Sequence, residues 1–197
     1  DANAAEKGGY EHFMLKEIYE QPKTINDTIS PRIKDNDIVI EELNMSDEEI
    51  QEITKIHIVA CGSAYHTGVT AKYVIEGLAR IPVEVDVASE FRYRDPILQK
   101  GNMVIVISQS GETADTLAAL RESKEKGFKV LGIVNVVGSS IAREADSVMY
   151  TWAGPEIAVA TTKAYSAQLT ALYMLAMKFA KVRGTIDQEK FQSMLTD

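Results

Sequence analysis

Apolar residues change period along the chain in a regular way. Val83 to Val87 ("VEVDV") alternates strictly, whereas Met103 to Ile107 ("MVIVI") is apolar throughout, and shorter apolar runs occupy Ile56–Ala60, Val130–Val134 and Val148–Thr151. Alternation marks a strand with one solvated face, and a continuous run marks a strand covered on both. The intervening stretches read as helices: about Tyr65 to Leu78, a segment after Gly111 running to Lys126 and stopped by Gly127, and a short piece near Ser140–Glu144. A long final helix, about Thr161 to Val182, steps through Tyr165, Leu169, Leu172, Ala176 and Phe179.

Strands alternating with helices predict an α/β three-layer sandwich, a five-stranded parallel sheet wound with right-handed crossovers. The alternating strand belongs at an edge and the all-apolar one at the centre, which favours the flavodoxin-like order 2-1-3-4-5. That order sets the loop after the first strand (residues 61–66, "CGSAYH") beside the loop after the third (108–113, "SQSGET"). Winding reverses there, and ligands of open α/β sheets bind in that crevice.

Ahead of the alternating region, residues 1–9 are small and polar and end in Gly8-Gly9, as a linker would. Tyr10–Glu20 is helix-like, and Pro22 is expected to start a second short helix. Pro31 and Asp35-Asn36-Asp37 punctuate residues 30–45, and Ser46 with Glu49 forms a capping box that starts a new helix. The expected division is therefore 1–45 as linker and N-terminal helices, and 46–197 as one binding domain.

Composition narrows the function. A formal net charge of −8 disfavours a general nucleic-acid binder, which needs a basic face. The single cysteine, Cys61, excludes an intrachain disulfide framework and a cysteine-based zinc site, and fits cytoplasmic residence. The longest apolar run, Ala171–Met177, is far short of the roughly 18–20 residues that span a bilayer. No apolar signal core opens the chain, and its first residue, aspartate, is what a piece of a longer protein would show.

The candidate chemistry lies at the switch point. Ser108, Ser110 and Thr113 place three hydroxyls around Gly111, immediately before a helix whose first turn exposes backbone N–H groups. With the helix dipole this makes an anion site that needs no cationic side chain, and a phosphate monoester suits it. Gln109 adds an amide for phosphate or a sugar hydroxyl, and Glu112 is expected to point outward. Simple helix capping explains the same residues; placement at the switch point favours the anion.

Other chemistries fit less well. There is no GxxxxGK[ST] loop, and "CGSA" is not a dinucleotide fingerprint. Cys61 has no evident base beside it, and a strand-end cysteine is more often a small buried hydrophobe. His57 reads as a packed histidine, and His12, His57 and His66 are too scattered for a metal site. The run Glu90–Arg94 ("EFRYR") fits a subunit contact or a solvated turn. In residues 156–163 ("EIAVATTK"), Thr161 and Thr162 are candidate helix caps and Lys163 a partner for an anion or carbonyl.

The motifs "CGSAYH", "SEFRYR", "SQSGETADTL", "GSSIARE" and "EIAVATTKAY", in this order and with "KGGYEHFMLKEIYEQP" ahead of them, closely resemble the isomerising glutamine–fructose-6-phosphate amidotransferases. The resemblance runs over nearly the whole chain and covers the first of that family's two sugar isomerase (SIS) modules. It implies that Ser108, Gln109, Ser110 and Thr113 hold the phosphate of fructose 6-phosphate or glucosamine 6-phosphate. It also implies that Cys61, Gly62, Ser63, Val159 and Thr161 line the sugar pocket. Ala64 and Thr161 stand where some members have serine; the first loses a hydroxyl and the second keeps one.

By the same resemblance a glutaminase domain precedes this segment. The base, ring-opening histidine and Schiff-base lysine lie in the second module, so no catalytic residue is expected here. A homodimer is the family expectation, and no metal or organic cofactor is implied; the net charge and the short apolar runs lead to no expected nucleic-acid or membrane partner. A stand-alone SIS sugar-phosphate sensor is the alternative; such regulators usually carry a DNA-binding segment, and the acidic N-terminal region shows none.

Overall fold

A computed structural model describes residues 6–196. The chain opens with α1 (Phe13–Ile29), then a two-strand hairpin of β1 (Ile33–Lys34) and β2 (Asp37–Ile38), and α2 (Asp47–Gln51). Next come β3 (Lys55–Ala60), α3 (Gly62–Leu78), β4 (Val83–Val87), α4 (Ala88–Tyr93), β5 (Asn102–Ser108) and α5 (Ala114–Glu125). The remainder is β6 (Val130–Val134), α6 (Ser140–Glu144), β7 (Ser147–Tyr150), α7 (Lys163–Val182) and α8 (Gln188–Thr196).

The main sheet is parallel with order β4-β3-β5-β6-β7, the 2-1-3-4-5 winding that the strand patterns predict. β5 is central and buried along almost its whole length, and its side chains divide between the two faces. Met103, Ile105 and Ile107 pack with Ile56, Ile58, Leu131 and Ile133 beneath α3 and α7. Val104 and Val106 pack with Val59, Val130 and Val134 beneath α4, α5 and α6. A sheet covered on both faces needs both sets apolar, which is why no polar residue interrupts the run. Gly68 lets α3 lie close to the sheet; a Cβ there would come within 2.8 Å of Ile58.

Several boundaries differ from the sequence reading. Pro22 lies inside α1 and breaks nothing. It cannot donate to the Ile18 carbonyl, but Gln21 Nε2 does so at 3.1 Å, so the freed acceptor is satisfied one residue away. α3 begins directly at Gly62, so "CGSAYH" is a helix start and not a loop. α7 begins at Lys163, two residues later than expected, and α8 follows it, anchored by the buried Phe191. The turn Asp35-Asn36 has positive φ at both residues (51° and 57°) and closes the β1–β2 hairpin, which pattern alone did not reveal.

Local signals behave as their chemistry dictates. Ser46 and Glu49 complete the capping box, with Glu49 N–H donating to Ser46 Oγ and Ser46 N–H to Glu49 Oε2. After α5, Gly127 N–H donates to the Lys124 carbonyl and Phe128 N–H to that of Ser123, a paired C-terminal cap. The N-terminal region is tied to the sheet by the buried Arg32, which donates to the carbonyls of Thr28 and Tyr150. "EFRYR" spans the later part of α4 and its C-cap, with Phe91 buried, Tyr93 exposed, and Arg94 clamping Asp86 at 2.9 and 2.8 Å. Among the described residues no helix is long and apolar enough to cross a membrane.

Candidate functional site

Register places the ends of β3 and β5 side by side, Ala60 opposite Ile107, so both strands empty into one crevice at the reversal of winding. The turn leaving β5 folds around its own hydroxyls. Ser108 Oγ accepts from Gly111 N–H at 3.0 Å and lies 2.9 Å from Thr113 Oγ1. Ser110 Oγ accepts from Glu112 N–H at 3.2 Å. Each hydroxyl oxygen is held by the turn, and the Ser110 proton stays available to a ligand. The turn needs glycine at 111: its φ is +67°, and a Cβ would sit 2.5 Å from Ser139 Cβ and overlap the Ser139 hydroxyl.

Thr113 occupies the N-cap position of α5 without capping it; no side chain accepts from the first turn. The same holds for α3, whose N-cap is Cys61. Two helices of 12 and 17 residues therefore present their positive ends to the crevice without a capping side chain, and the carboxylate in the first turn of α5, Asp115, is paired with Arg92 at 3.3 Å. Glu112 turns away, its Oε1 accepting from Ser140 N–H at 2.7 Å at the start of α6. The hydrogen bond from Ser140 holds that carboxyl below the usual carboxylate range. The one negative charge in the motif thus serves a neighbouring helix.

The third wall is the segment before α7. Glu156 accepts from the N–H groups of Thr162 and Ala164, both at 3.0 Å, and from the Thr161 hydroxyl at 2.7 Å. Glu156, not Thr161 or Thr162, is therefore the cap of α7. Lys163 is buried and turned to α1, where it pairs with Glu20 at 2.5 Å.

These walls enclose a cleft of about 420 Å³. Cys61, Ser63, Ser108, Gln109, Ser110, Thr113, Val159 and Thr161 all line it; Gly62 does not, but links Cys61 to Ser63 at a φ of +57°. Ala64, Ile107, Ala158, Ala160, Glu156 and Gln168 complete the lining. Gln168 carried no sequence signal, because it sits on a helix face whose direction only the fold decides. Among the described residues no lysine, arginine or histidine lines the cleft. Cys61 Sγ accepts from Thr116 Oγ1 at 3.8 Å, a weak contact that supplies no base.

The histidines lie elsewhere. His66 is exposed on α3. His57 is buried near the opposite end of β3, with Nε2 3.3 Å from Asn102 Oδ1, and burial pushes its pKa down. Glu84 and Asp86 stand beside it, but Lys55 and Arg94 already neutralise them. The hydrogen bond from Lys55 is the main reason the Glu84 carboxyl is held low. This cluster is an ion-pair network at the sheet edge.

The family model described as SIS domain matches residues 49–178. The chain belongs to the SIS domain family. It is 62% identical over 195 residues to the glutamine–fructose-6-phosphate aminotransferase (isomerising) of Clostridium tetani, covering 98% of this chain and 32% of that protein. The enzyme of the same name from Mycobacterium tuberculosis is 57% identical over 185 residues, 94% of this chain and 30% of its own. This SIS chain thus spans about a third of the length of these curated relatives. Among solved structures, the C-terminal domain of glucosamine-fructose-6-phosphate aminotransferase from Francisella tularensis superposes with a TM-score of 0.92 at 43% identity, covering 98% of this chain and 54% of that one. A phosphosugar isomerase fold from Clostridium difficile matches at a TM-score of 0.79 and 22% identity, covering 93% of this chain and 50% of its own, a likeness of fold alone.

Proposed function

We propose that this SIS module binds the sugar phosphate of an isomerising glutamine–fructose-6-phosphate aminotransferase, taking fructose 6-phosphate as substrate and releasing glucosamine 6-phosphate. The observation that carries the reading is the uncapped start of α5 behind Ser108, Ser110 and Thr113, which together face the cleft. The phosphate sits against these hydroxyls and the amide of Gln109, where backbone N–H groups and the helix dipole supply the positive potential. The sugar then lies toward Cys61, Gly62 and Ser63 on one side and Val159 and Thr161 on the other. Residues 46–197 form the binding module, and residues 1–45 lead into it.

Converting a ketose phosphate to an amino-aldose phosphate requires ring opening, attack of ammonia at the carbonyl, and proton transfer between adjacent sugar carbons. In this cleft Glu156 is committed to the start of α7 and Cys61 lacks a base, so neither is poised to move a proton. The module binds and orients; the proton-transferring groups, the ammonia source and the dimeric, cytoplasmic assembly belong to the longer enzyme.

Titration of the isotope-labelled chain with fructose 6-phosphate, followed by NMR, tests this directly. Amide shifts at 108–116 with fructose 6-phosphate and none with fructose are expected. Replacing Ser110 and Thr113 by alanine removes two charge-assisted hydrogen bonds of about 1.5–3 kcal/mol each and should weaken binding at least tenfold. Equal affinity in that double variant would leave these hydroxyls as parts of the turn only.

A further inference from the structure

Beyond the pocket itself, we propose that Glu17 of α1 is a positioning residue that sets the sugar-side wall of the cleft; this rests on the sugar-phosphate reading above. Glu17 is 2% exposed. Its Oε1 accepts from Ile157 N–H at 2.6 Å and from Ala158 N–H at 3.1 Å, across 140 residues of sequence. Its other oxygen, Oε2, is buried with no hydrogen-bond partner among the described residues. A buried carboxylate is costly, and two backbone bonds are its visible compensation.

Asn135 pins the start of the segment that Glu17 grips, bonding Thr151, Ala153 and Gly154, but among the described residues no other hydrogen bond reaches residues 157–160. Residues 151–162 contain no helix or strand, Ile157 is half exposed, and the Val159 side chain is fully exposed at the cleft rim. One residue before the gripped amides, Glu156 holds the start of α7; one residue after them, Val159 faces the ligand space. Glu17 therefore fixes the middle of a short span whose two ends are a helix cap and the pocket wall. Two further contacts keep α1 against α7 at this level: Lys163 pairs with Glu20, and Ser166 Oγ donates to Gln21 Oε1 at 2.5 Å. Glu17, Glu20 and Gln21 lie on adjacent turns of α1, so one helix face addresses the 157–166 segment.

Among the described residues the phosphate cradle at 108–113 makes no hydrogen bond to α1. Positioning by Glu17 should consequently act on the sugar and not on the phosphate, and that asymmetry is the test. Affinities for fructose 6-phosphate and for inorganic phosphate are measured by NMR on the whole 197-residue chain and on its Glu17→Ala and Glu17→Gln variants. Amide exchange at Ile157 and Ala158, and the thermal midpoint, are recorded alongside. Glu17→Ala should speed exchange at both amides and weaken fructose 6-phosphate about tenfold while leaving inorganic phosphate unchanged. Glu17→Gln, which keeps an acceptor oxygen, should stay within about threefold of the parent for the sugar phosphate.

Unchanged fructose 6-phosphate affinity in Glu17→Ala overturns the proposal. So does a parallel loss for both ligands with a falling thermal midpoint, since that is general destabilisation. If the parent chain binds neither ligand, the sugar-phosphate reading itself fails and this inference falls with it.

Discussion

Replacing Gly111 by alanine tests the geometry of the 108–113 turn most severely, because two separate penalties meet at one atom. The backbone stands at a φ of +67°, where an L-residue with a Cβ costs about 1–2 kcal/mol. The added methyl also has nowhere to go. It would lie 2.5 Å from Ser139 Cβ and overlap the Ser139 hydroxyl, both parts of a buried side chain at the start of α6. Ser139 cannot simply retreat, because Ile141 N–H donates to the Gly111 carbonyl at 3.0 Å and binds α6 to the same turn. Overpacking of this kind costs about 1–3 kcal/mol, so Gly111→Ala should lose about 2–5 kcal/mol in all.

The two penalties separate in a double variant. Ser139 Oγ is buried with no hydrogen-bond partner among the described residues, and Ser139 makes no side-chain cap to α6. Ser139→Gly alone should therefore cost only a few tenths of a kcal/mol. Combined with Gly111→Ala it removes both clashing atoms and should leave about 1–2 kcal/mol, the backbone share. Urea unfolding at constant m-value measures all four proteins. A Gly111→Ala protein within about 0.5 kcal/mol of the parent would refute the steric argument. So would a double variant no more stable than Gly111→Ala itself.

Three further outcomes are expected. Burial depresses the His57 pKa, so as pH falls through about 6.5 the unfolded chain takes up a proton more readily than the folded chain. Stability should fall between pH 7 and 5 by at most about 1.4 kcal/mol per pH unit, and His57→Gln should flatten that slope in urea titrations. Facing His57 are Lys55 on its own strand, Glu84 and Asp86 on β4, and Asn102 on β5; Glu84, held low, adds its own loss only at more acidic pH, as it is protonated. Pro22→Ala restores a backbone donor to the Ile18 carbonyl in a continuous helix and should raise stability by about 1 kcal/mol, read as the thermal midpoint. Glu156→Ala removes the cap of α7 and should cost about 1–2 kcal/mol in urea unfolding.

The sheet was legible because burial on both faces leaves a simple trace in composition. Met103–Ile107 contains nothing polar, Val83–Val87 alternates, and the winding order follows from that contrast. The turn at 108–113 was legible as well, since hydroxyls around a glycine before a helix are a local pattern. Long-range choices left no such trace. Pro22 normally marks a boundary, and nothing local says that Gln21 will satisfy the carbonyl it orphans. Thr161 and Thr162 have the right chemistry for a cap, yet a carboxylate reaching back from Glu156 has more charge and takes the role. Glu17 read as an ordinary helix glutamate, because its partners Ile157 and Ala158 lie 140 residues away and offer only backbone.

Three longer helices, α3, α5 and α7, begin at this cleft, and they differ in one respect that bears on what the cleft can hold. The positive end of α7 is occupied by Glu156, whose carboxylate belongs to the chain itself. The starts of α3 and α5 carry no capping side chain; Glu112, just before α5, is turned to α6, and Asp115 in the first turn of α5 pairs with Arg92. In a protein with a net charge of −8, two helix starts without capping side chains give this one cleft a local pull on anions. No lysine or arginine is needed to draw in an anion, and none lines the cleft to be left unpaired when it departs. Selectivity then comes from geometry. The hydroxyls of Ser108 and Thr113 lie 2.9 Å apart and that of Ser110 lines the same cleft, three donors from one short turn for the oxygens of one anion.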